Sequence, residues 1–434
     1  MAGVHPLDTL IGNEFSVFQS DADVRAFEQT PYADRIAARS TYEALQLGAA
    51  VDPDAPAIHF LRTGELDEVP VTMSYRQFMG RVNQTANLLH DLGVGPGDTV
   101  SLMLPLIPQN CFGLFGAEAA GIANPVNPLL EAYQIAEILK AVGTKVLVAL
   151  GPTPGVDIWE KVQRVRTELP TLKAILQVGG TVSAADERDG VHSFDAALDR
   201  HPSDRLTSGR TIRPEEPCAY FHTGGTTGTP KLVRHTHANQ VYQAWGVRLV
   251  LKGRPGNPIL MGLPLYHVGG ALSQVLLTLS GGGAVVILTP AGWRNPTVVR
   301  NVWRLVAEYR PQTFSAVPTV LAASLSAPTE GCDLSSLTCS AGGGSAIPVE
   351  VCKGLQELTR MPTLEVYGMT ETSSVHTLSY PDRPVRLGSV GHALPYSRVR
   401  VVRLDEEGKL ERDCGVNEIG VVAMAGPGVF SGYL

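Results

Sequence analysis

Phe221-His222-Thr223-Gly224-Gly225-Thr226-Thr227-Gly228-Thr229-Pro230-Lys231 is the run on which the reading of this chain turns. Just before it, Glu216-Pro217-Cys218-Ala219-Tyr220 opens an apolar, strand-like stretch, so the glycines and threonines follow a strand as a tight loop with a lysine at its far edge. Glycines let backbone N–H groups approach a polyanion without a Cβ in the way. Successive N–H groups form an anion-binding nest, and hydroxyls and an ammonium add charge-assisted hydrogen bonds. The pattern predicts a phosphate cradle. It is not of the Walker type, whose lysine follows glycine and precedes Ser or Thr. Here Pro230 precedes Lys231 and Leu232 follows it, which removes a backbone donor and the magnesium-holding hydroxyl. Taken alone, the loop also fits an ordinary glycine-rich hairpin turn.

Outward from the loop, helical and strand periodicities alternate. Tyr75, Phe78, Val82, Ala86, Leu89 and Leu92 recur every three or four residues, predicting an amphipathic helix that ends at Gly93. Thr99 to Leu104 predicts a buried strand, Asn110 to Ala120 a helix of small residues, and Ile122 to Val126 a strand. Tyr133 to Ala141 then reads as a helix and Lys145 to Ala149 as a strand. After the loop come a strand at Ala284 to Leu288, a helix at Thr297 to Tyr309 and a strand at Thr313 to Val317. Such alternation implies βαβ units and parallel sheets. Beyond Gly388 the texture changes: Val399 to Arg403 alternates, Asp405-Glu406-Glu407-Gly408 is a turn, and Gly420 to Met424 is another strand. That reads as a small antiparallel β subdomain. The expectation is an α/β fold, with residues 1–70 as an extension whose first fifty residues pack irregularly. Residues 71–387 would form two αβ subdomains with mostly parallel sheets, and 388–434 the start of a barrel-like antiparallel β subdomain.

Bulk properties narrow the function classes. A chain of 434 residues is long for one core and fits about three domain-sized units. With 44% hydrophobic and 18% charged residues it has the composition of a soluble globular enzyme. The formal charge of −7 is concentrated in residues 1–70, and no basic face appears, which argues against nucleic acid or an anionic membrane as partner. Cys111, Cys218, Cys332, Cys339, Cys352 and Cys414 lack CxxC spacing and read as reduced thiols of a cytoplasmic protein. No basic-then-apolar leader opens the sequence, and the most apolar stretch, Ala271 to Leu288, is broken by Ser280-Gly281-Gly282-Gly283. The expectation is therefore no signal peptide and no transmembrane segment. A homodimer stays open.

Four segments after the loop carry further chemistry. Leu263-Pro264-Leu265-Tyr266-His267-Val268-Gly269-Gly270 places a histidine at an expected strand end, and Ser340-Ala341-Gly342-Gly343-Gly344-Ser345 is a second glycine turn. Val366-Tyr367-Gly368-Met369-Thr370-Glu371-Thr372 combines an aromatic ring, a hydroxyl and a carboxylate, and Phe430-Ser431-Gly432-Tyr433-Leu434 closes the chain. His235 and His237 stand two apart and read as structural, because no third metal ligand is evident beside them.

Together these segments resemble the adenylate-forming (AMP-binding) superfamily, specifically the large N-terminal domain of acyl-CoA synthetases and fatty-acid–CoA ligases. The resemblance runs from Ser74 to the last residue. Thr223 to Lys231 is similar to the family's phosphate signature and departs only at Gly225, while Tyr367-Gly368-Met369-Thr370-Glu371 matches the family's Tyr-Gly-x-Thr-Glu.

The resemblance implies an acid–thiol ligase that uses ATP, Mg2+ and coenzyme A. Thr223, Gly224, Gly225, Thr226, Thr227, Gly228 and Lys231 would hold phosphates. Gly343, Gly344, Ser345 and Tyr367 would frame adenine, with Gly368, Met369 and Thr370 completing the nucleotide site. Thr370, Glu371 and His267 would be catalytic, with Glu371 the Mg2+ ligand, a role that suits a hard carboxylate oxygen. His267, Gly269 and Gly270 would bind the acyl group. No aspartate near His267 awaits an α-ammonium, so a fatty or other apolar acid is favoured over an amino acid.

The family also carries a ribose-binding Asp and a mobile C-terminal domain with a catalytic lysine. Neither pattern follows Leu434, so the sequence reads as the large domain alone, expected to adenylate poorly. Alternatives are an aryl-acid–CoA ligase, an adenylation domain that passes its acyl group to a carrier protein, a P-loop-type phosphotransferase and a non-catalytic binding protein.

Overall fold

The computed structural model describes residues 17–223 and 230–434. The helix Tyr75–Asp91 shows how local signals place an element. Ser74 accepts a hydrogen bond from the Gln77 N–H while the Gln77 side chain accepts one from the Ser74 N–H, a closed capping box. The face bearing Tyr75, Phe78, Val82, Ala86 and Leu89 is buried.

The largest sheet has seven strands. Their spatial order is Val191–Ser193, Ala174–Val178, Thr144–Leu150, Thr99–Met103, Ile122–Pro125, Pro217–His222 and Leu232–Thr236. All neighbours are parallel except the last pair, which is antiparallel and forms a hairpin. A second sheet orders Ile259–Met261, Val285–Leu288, Pro56–Leu61 and Val71–Ser74. A third runs Thr313–Ala316, Cys339–Gly342, Thr363–Tyr367, Thr377–Leu378 and His392–Ala393. The last sheet is antiparallel, with Arg398–Leu404 between Leu410–Asp413 and Val421–Ala425. The α/β architecture with an antiparallel C-terminal sheet is thus as read from periodicity.

Two readings are corrected. The first fifty residues were expected to pack irregularly, yet within the described part Asp21–Phe27 and Thr41–Ala49 are helices with Ser20 and Ser40 as N-caps. Pro56–Leu61 is an inner strand, parallel to Val285–Leu288 and antiparallel to Val71–Ser74. The expected helix over 297–309 is two helices, Pro296–Arg300 and Val302–Tyr309. Asn301 leaves helical geometry at the break (φ −94°, ψ 6°) and donates its amide to the Gly64 carbonyl at 3.0 Å. That non-local bond offsets the loss of helical continuity.

Among the described residues no helix is long and apolar enough to cross a membrane.

Candidate active site

The threonine–glycine loop connects the two strands of the edge hairpin. His222 pairs with Leu232, and the Thr223 N–H donates to the Lys231 carbonyl at 2.9 Å. The strands on either side of the loop therefore pair antiparallel, which leaves both the turn and the phosphate readings open. Thr223 and Lys231 stand at the loop's two ends. Gly224, Gly225, Thr226, Thr227 and Gly228 lie outside the described residues.

The adenine-side and metal-side candidates emerge from neighbouring parallel strands. Cys339–Gly342 delivers Gly343, Gly344 and Ser345 at its C-terminal end, and the adjacent Thr363–Tyr367 delivers the turn Tyr367 to Glu371. Carboxyl ends of adjacent strands in an open α/β sheet are where ligand crevices form. Gly343 lies so close to the next strand that a Cβ would sit 2.4 Å from Val366 Cγ2. Met369 ties down the following turn: its N–H donates to Thr372 Oγ1 at 3.0 Å and its carbonyl accepts from the Thr372 N–H at 3.0 Å.

The hairpin and this turn are joined directly. His235 Nε2 donates to the Thr370 carbonyl at 2.7 Å, and burial lowers the His235 pKa to about 4, so the ring is neutral. The Phe430 N–H donates to the Glu371 carbonyl at 2.8 Å. Glu371 Oε1 accepts from the Tyr433 hydroxyl at 2.7 Å, and Lys231 Nζ lies 4.9 Å from the centre of the same Tyr433 ring. Lys231 and Glu371, far apart in sequence, thus meet at one aromatic ring.

His267 sits elsewhere than expected. The strand Ile259–Met261 ends well before it, and His267 occupies the turn leading into the wide helical turn Gly269–Leu276. Its Nδ1 accepts the Gly269 N–H at 3.0 Å, capping that helix, so the ring proton is on Nε2. Desolvation lowers its pKa. Gly270 is packed in the same turn, where a Cβ would meet the Pro264 carbonyl oxygen at 2.3 Å. Gly270 therefore serves close backbone packing, and neither it nor Gly269 lines the large cavity described next.

That cavity, about 1390 Å³, was not anticipated. Its walls are the segments that follow parallel strands: Leu104–Ile107, Leu150–Glu160, Gly262–Tyr266, Pro290–Arg294 and Val317–Val320 contribute most of them. Leu106, Ile107, Leu263, Trp293 and Val317 make it chiefly apolar. Tyr266 links it to the hairpin, since its ring stacks on His222 (centroids 6.2 Å apart, planes at 18°) directly before Thr223. His222 Nε2 accepts the Asn127 N–H at 3.1 Å, and burial lowers its pKa to about 4. His222 was overlooked in the sequence; its place at the last strand position before the loop was the available signal.

His235 and His237 do not share a strand face. His235 is in the strand Leu232–Thr236, while His237 opens the helix His237–Leu251. Third groups do exist beside His237: potential ligand atoms of Glu118, Cys218 and His237 lie within 4.8 Å of one another, all buried. Glu118 Oε2 accepts from Thr41 Oγ1 at 2.7 Å, and burial pushes the Glu118 pKa up to about 8. At neutral pH its carboxyl group is protonated, so this core cluster carries no uncompensated carboxylate.

The family model of the AMP-binding enzymes matches residues 45–434. The marinolic acid–CoA ligase of Pseudoalteromonas sp. (strain SANK 73390) is 32% identical over 419 residues, covering 95% of this chain and 63% of that protein. The long-chain-fatty-acid–CoA ligase of Bacillus subtilis (strain 168) is 26% identical over 407 residues, covering 89% and 69%. An anthranilate CoA ligase crystallised with anthranoyl-AMP superimposes with a TM-score of 0.77 at 25% identity, over 91% of this chain and 71% of that one. The inhibitor-bound N-terminal domain of FACL13 from Mycobacterium tuberculosis gives a TM-score of 0.75 at 22% identity, over 91% of each chain, and shares the fold. The chain therefore spans only part of its longer relatives, 63% in the case of the marinolic acid–CoA ligase. A match over residues 45–434, carrying both the hairpin loop and the Tyr367–Glu371 turn, settles the assignment: this chain belongs to the AMP-binding enzyme family.

Proposed function

We propose that the site activates an apolar carboxylic acid with ATP and passes the acyl group to coenzyme A. The acid's carboxylate oxygen bonds to the α-phosphorus of ATP, and the bond to the departing pyrophosphate breaks. The thiol sulfur then bonds to the acyl carbon of the resulting acyl-adenylate, AMP leaves, and the thiol proton passes to solvent. The observation that carries this reading is the meeting of Lys231, at the exit of the hairpin loop, with Glu371, on the Tyr367–Glu371 turn, around Tyr433. A large apolar cavity adjoins the hairpin through Tyr266 and His222.

In this reading Thr223, Lys231 and the loop residues between them hold the β- and γ-phosphates. Gly343, Gly344, Ser345 and Tyr367 flank adenine, and Gly368, Met369 and Thr370 carry the α-phosphate side. The work is positioning and charge neutralisation. Glu371 suits a divalent cation: it is half-buried, and among the described residues only Oε1 of its carboxylate has a hydrogen-bond donor. One free carboxylate oxygen beside substrate phosphates is how Mg2+ is ordinarily held. When bound, the ion would supply neutralisation of phosphate charge.

The cavity's aliphatic and indole walls favour a fatty or bulky apolar acid, in keeping with the relatives named for marinolic acid and long-chain fatty acids. His267 follows the cavity-lining segment Gly262–Tyr266, and in this reading it attends the acid's carboxylate. The six free cysteines support a reducing, cytoplasmic setting.

The test is release of AMP and pyrophosphate across a panel of aliphatic and aromatic acids, with and without coenzyme A. Acid-dependent AMP with thioester formation supports the reading, whereas ADP and inorganic phosphate would replace it with phosphotransfer. Glu371→Gln is expected to lower acid-dependent pyrophosphate release about 100-fold, equivalent to ~2.7 kcal/mol of transition-state stabilisation. Unchanged release in that variant would remove Glu371 from the mechanism.

A further inference from the structure

The C-terminal segment Phe430 to Leu434 lies along the outer edge of the hairpin. Arg234 N–H donates to the Gly432 carbonyl at 3.3 Å, Leu434 N–H donates to the Leu232 carbonyl at 2.9 Å, and Tyr433 forms a β-bridge with Val233. The same segment is fixed to the Tyr367–Glu371 turn through the Phe430 N–H and the Glu371 carbonyl, 2.8 Å apart. The Tyr433 ring is thereby held from two sides. Phe430 packs edge-on against it with centroids 4.9 Å apart, and the Lys231 ammonium sits 4.9 Å from its centre.

A cation at that distance is attracted to the ring's electron-rich face. The phenol hydroxyl meanwhile donates to Glu371 Oε1 at 2.7 Å. No Lys231–Glu371 ion pair forms within 4.0 Å among the described residues, although both charges contact the same side chain. An isolated lysine–carboxylate pair would neutralise the two groups that the phosphates and a cation need.

We propose that Tyr433 is a positioning residue: its hydroxyl orients Glu371 toward a divalent cation, and its ring holds Lys231 apart from that carboxylate. The inference rests on the reading of Glu371 as the cation-binding carboxylate. Hydrogen bonds to a ligating carboxylate fix its orientation, and their removal costs about 10–100-fold in metal affinity. Tyr433 is 43% exposed, so its substitution tests this role without emptying a core site.

The experiment is calorimetric titration of ATP into the wild-type protein, Tyr433→Phe, Glu371→Gln and the double variant, in EDTA and over a range of Mg2+ concentrations. In the wild type Mg2+ is expected to strengthen ATP binding. In Tyr433→Phe the Mg2+ concentration giving half of that effect rises about 10-fold, while affinity in EDTA stays the same because the ring still holds Lys231. In the Glu371→Gln background, Tyr433→Phe changes nothing. Tyr433→Ala, which releases Lys231 as well, also weakens binding in EDTA. An unshifted Mg2+ midpoint in Tyr433→Phe overturns the inference, as does an equal shift in the Glu371→Gln background. Absence of any Mg2+ effect in the wild type would instead overturn the reading of Glu371 itself, and that failure is visible without any variant.

Discussion

Gly368→Ala is expected to lower stability by about 3 kcal/mol or more, at the upper end of the range for overpacked sites, and to abolish Mg2+-dependent ATP binding. An added Cβ at Gly368 would lie 1.7 Å from the Ser374 carbonyl oxygen, 2.7 Å from its carbonyl carbon and 2.9 Å from the His376 backbone nitrogen. None of these atoms can rotate away, because all belong to the backbone. The turn between Thr363–Tyr367 and Thr377–Leu378 would have to open, and it carries Thr370 and Glu371 with it. Ser373 and Ser374 already sit at positive φ (57° and 104°), so the turn has little conformational slack. Gly344→Ala is the matched control. That glycine has φ +84° but nothing within 4 Å of the added carbon, so the loss should be the left-handed penalty alone, about 1–2 kcal/mol. Thermal unfolding of both variants checks the contrast in stability, and ATP calorimetry on Gly368→Ala checks the loss of Mg2+-dependent binding. Equal behaviour would mean that the 368 turn tolerates a side chain and that its glycine serves no steric purpose.

Local signals made part of this molecule legible. Ser74 and Gln77 announce the start of a helix because capping is a contact between residues three apart. The Tyr367-Gly368-Met369-Thr370-Glu371 run is likewise contiguous, and its glycine is demanded by a neighbour only six residues away.

What escaped the sequence was assembled from distant parts. Pro56–Leu61 becomes an inner strand only because Val285–Leu288 accepts it on one side, a pairing without local trace. The apolar cavity has no motif at all, since it is the space left where the segments after several parallel strands converge. His267 was misplaced for a related reason. A histidine beside small residues fits a strand end, but the Gly269 N–H needed an acceptor at a helix start, and Nδ1 supplied it. Tyr433 carries no local sign of a role, because its partners, Lys231 and Glu371, lie on two other elements.

Glu118 belongs to the same class of hidden feature and yields a pH-dependent prediction. Its carboxyl group is fully buried on the helix Pro108–Ala120, beside Cys218 and His237, and its Oε2 accepts from Thr41 Oγ1 at 2.7 Å. Burial raises its folded-state pKa from 4.5 to about 8. Between those values the unfolded chain has lost the proton and the folded protein retains it. Stability from this group is therefore full below the unfolded pKa and falls as pH rises, by about 1.4 kcal/mol per unit, until the folded pKa is passed. Glu118→Gln keeps the shape of the protonated acid and cannot ionise, so its stability should lack this slope. From pH 6 to pH 8 the melting temperature of the variant should gain about 2–3 °C on the wild type, given how unfolding entropy scales with chain length. Above pH 8 the gap should stop widening. Melting curves for the two proteins across that range decide the matter: parallel pH dependences would show that Glu118 is ionised in the folded core, and that Cys218 and His237 surround a charge.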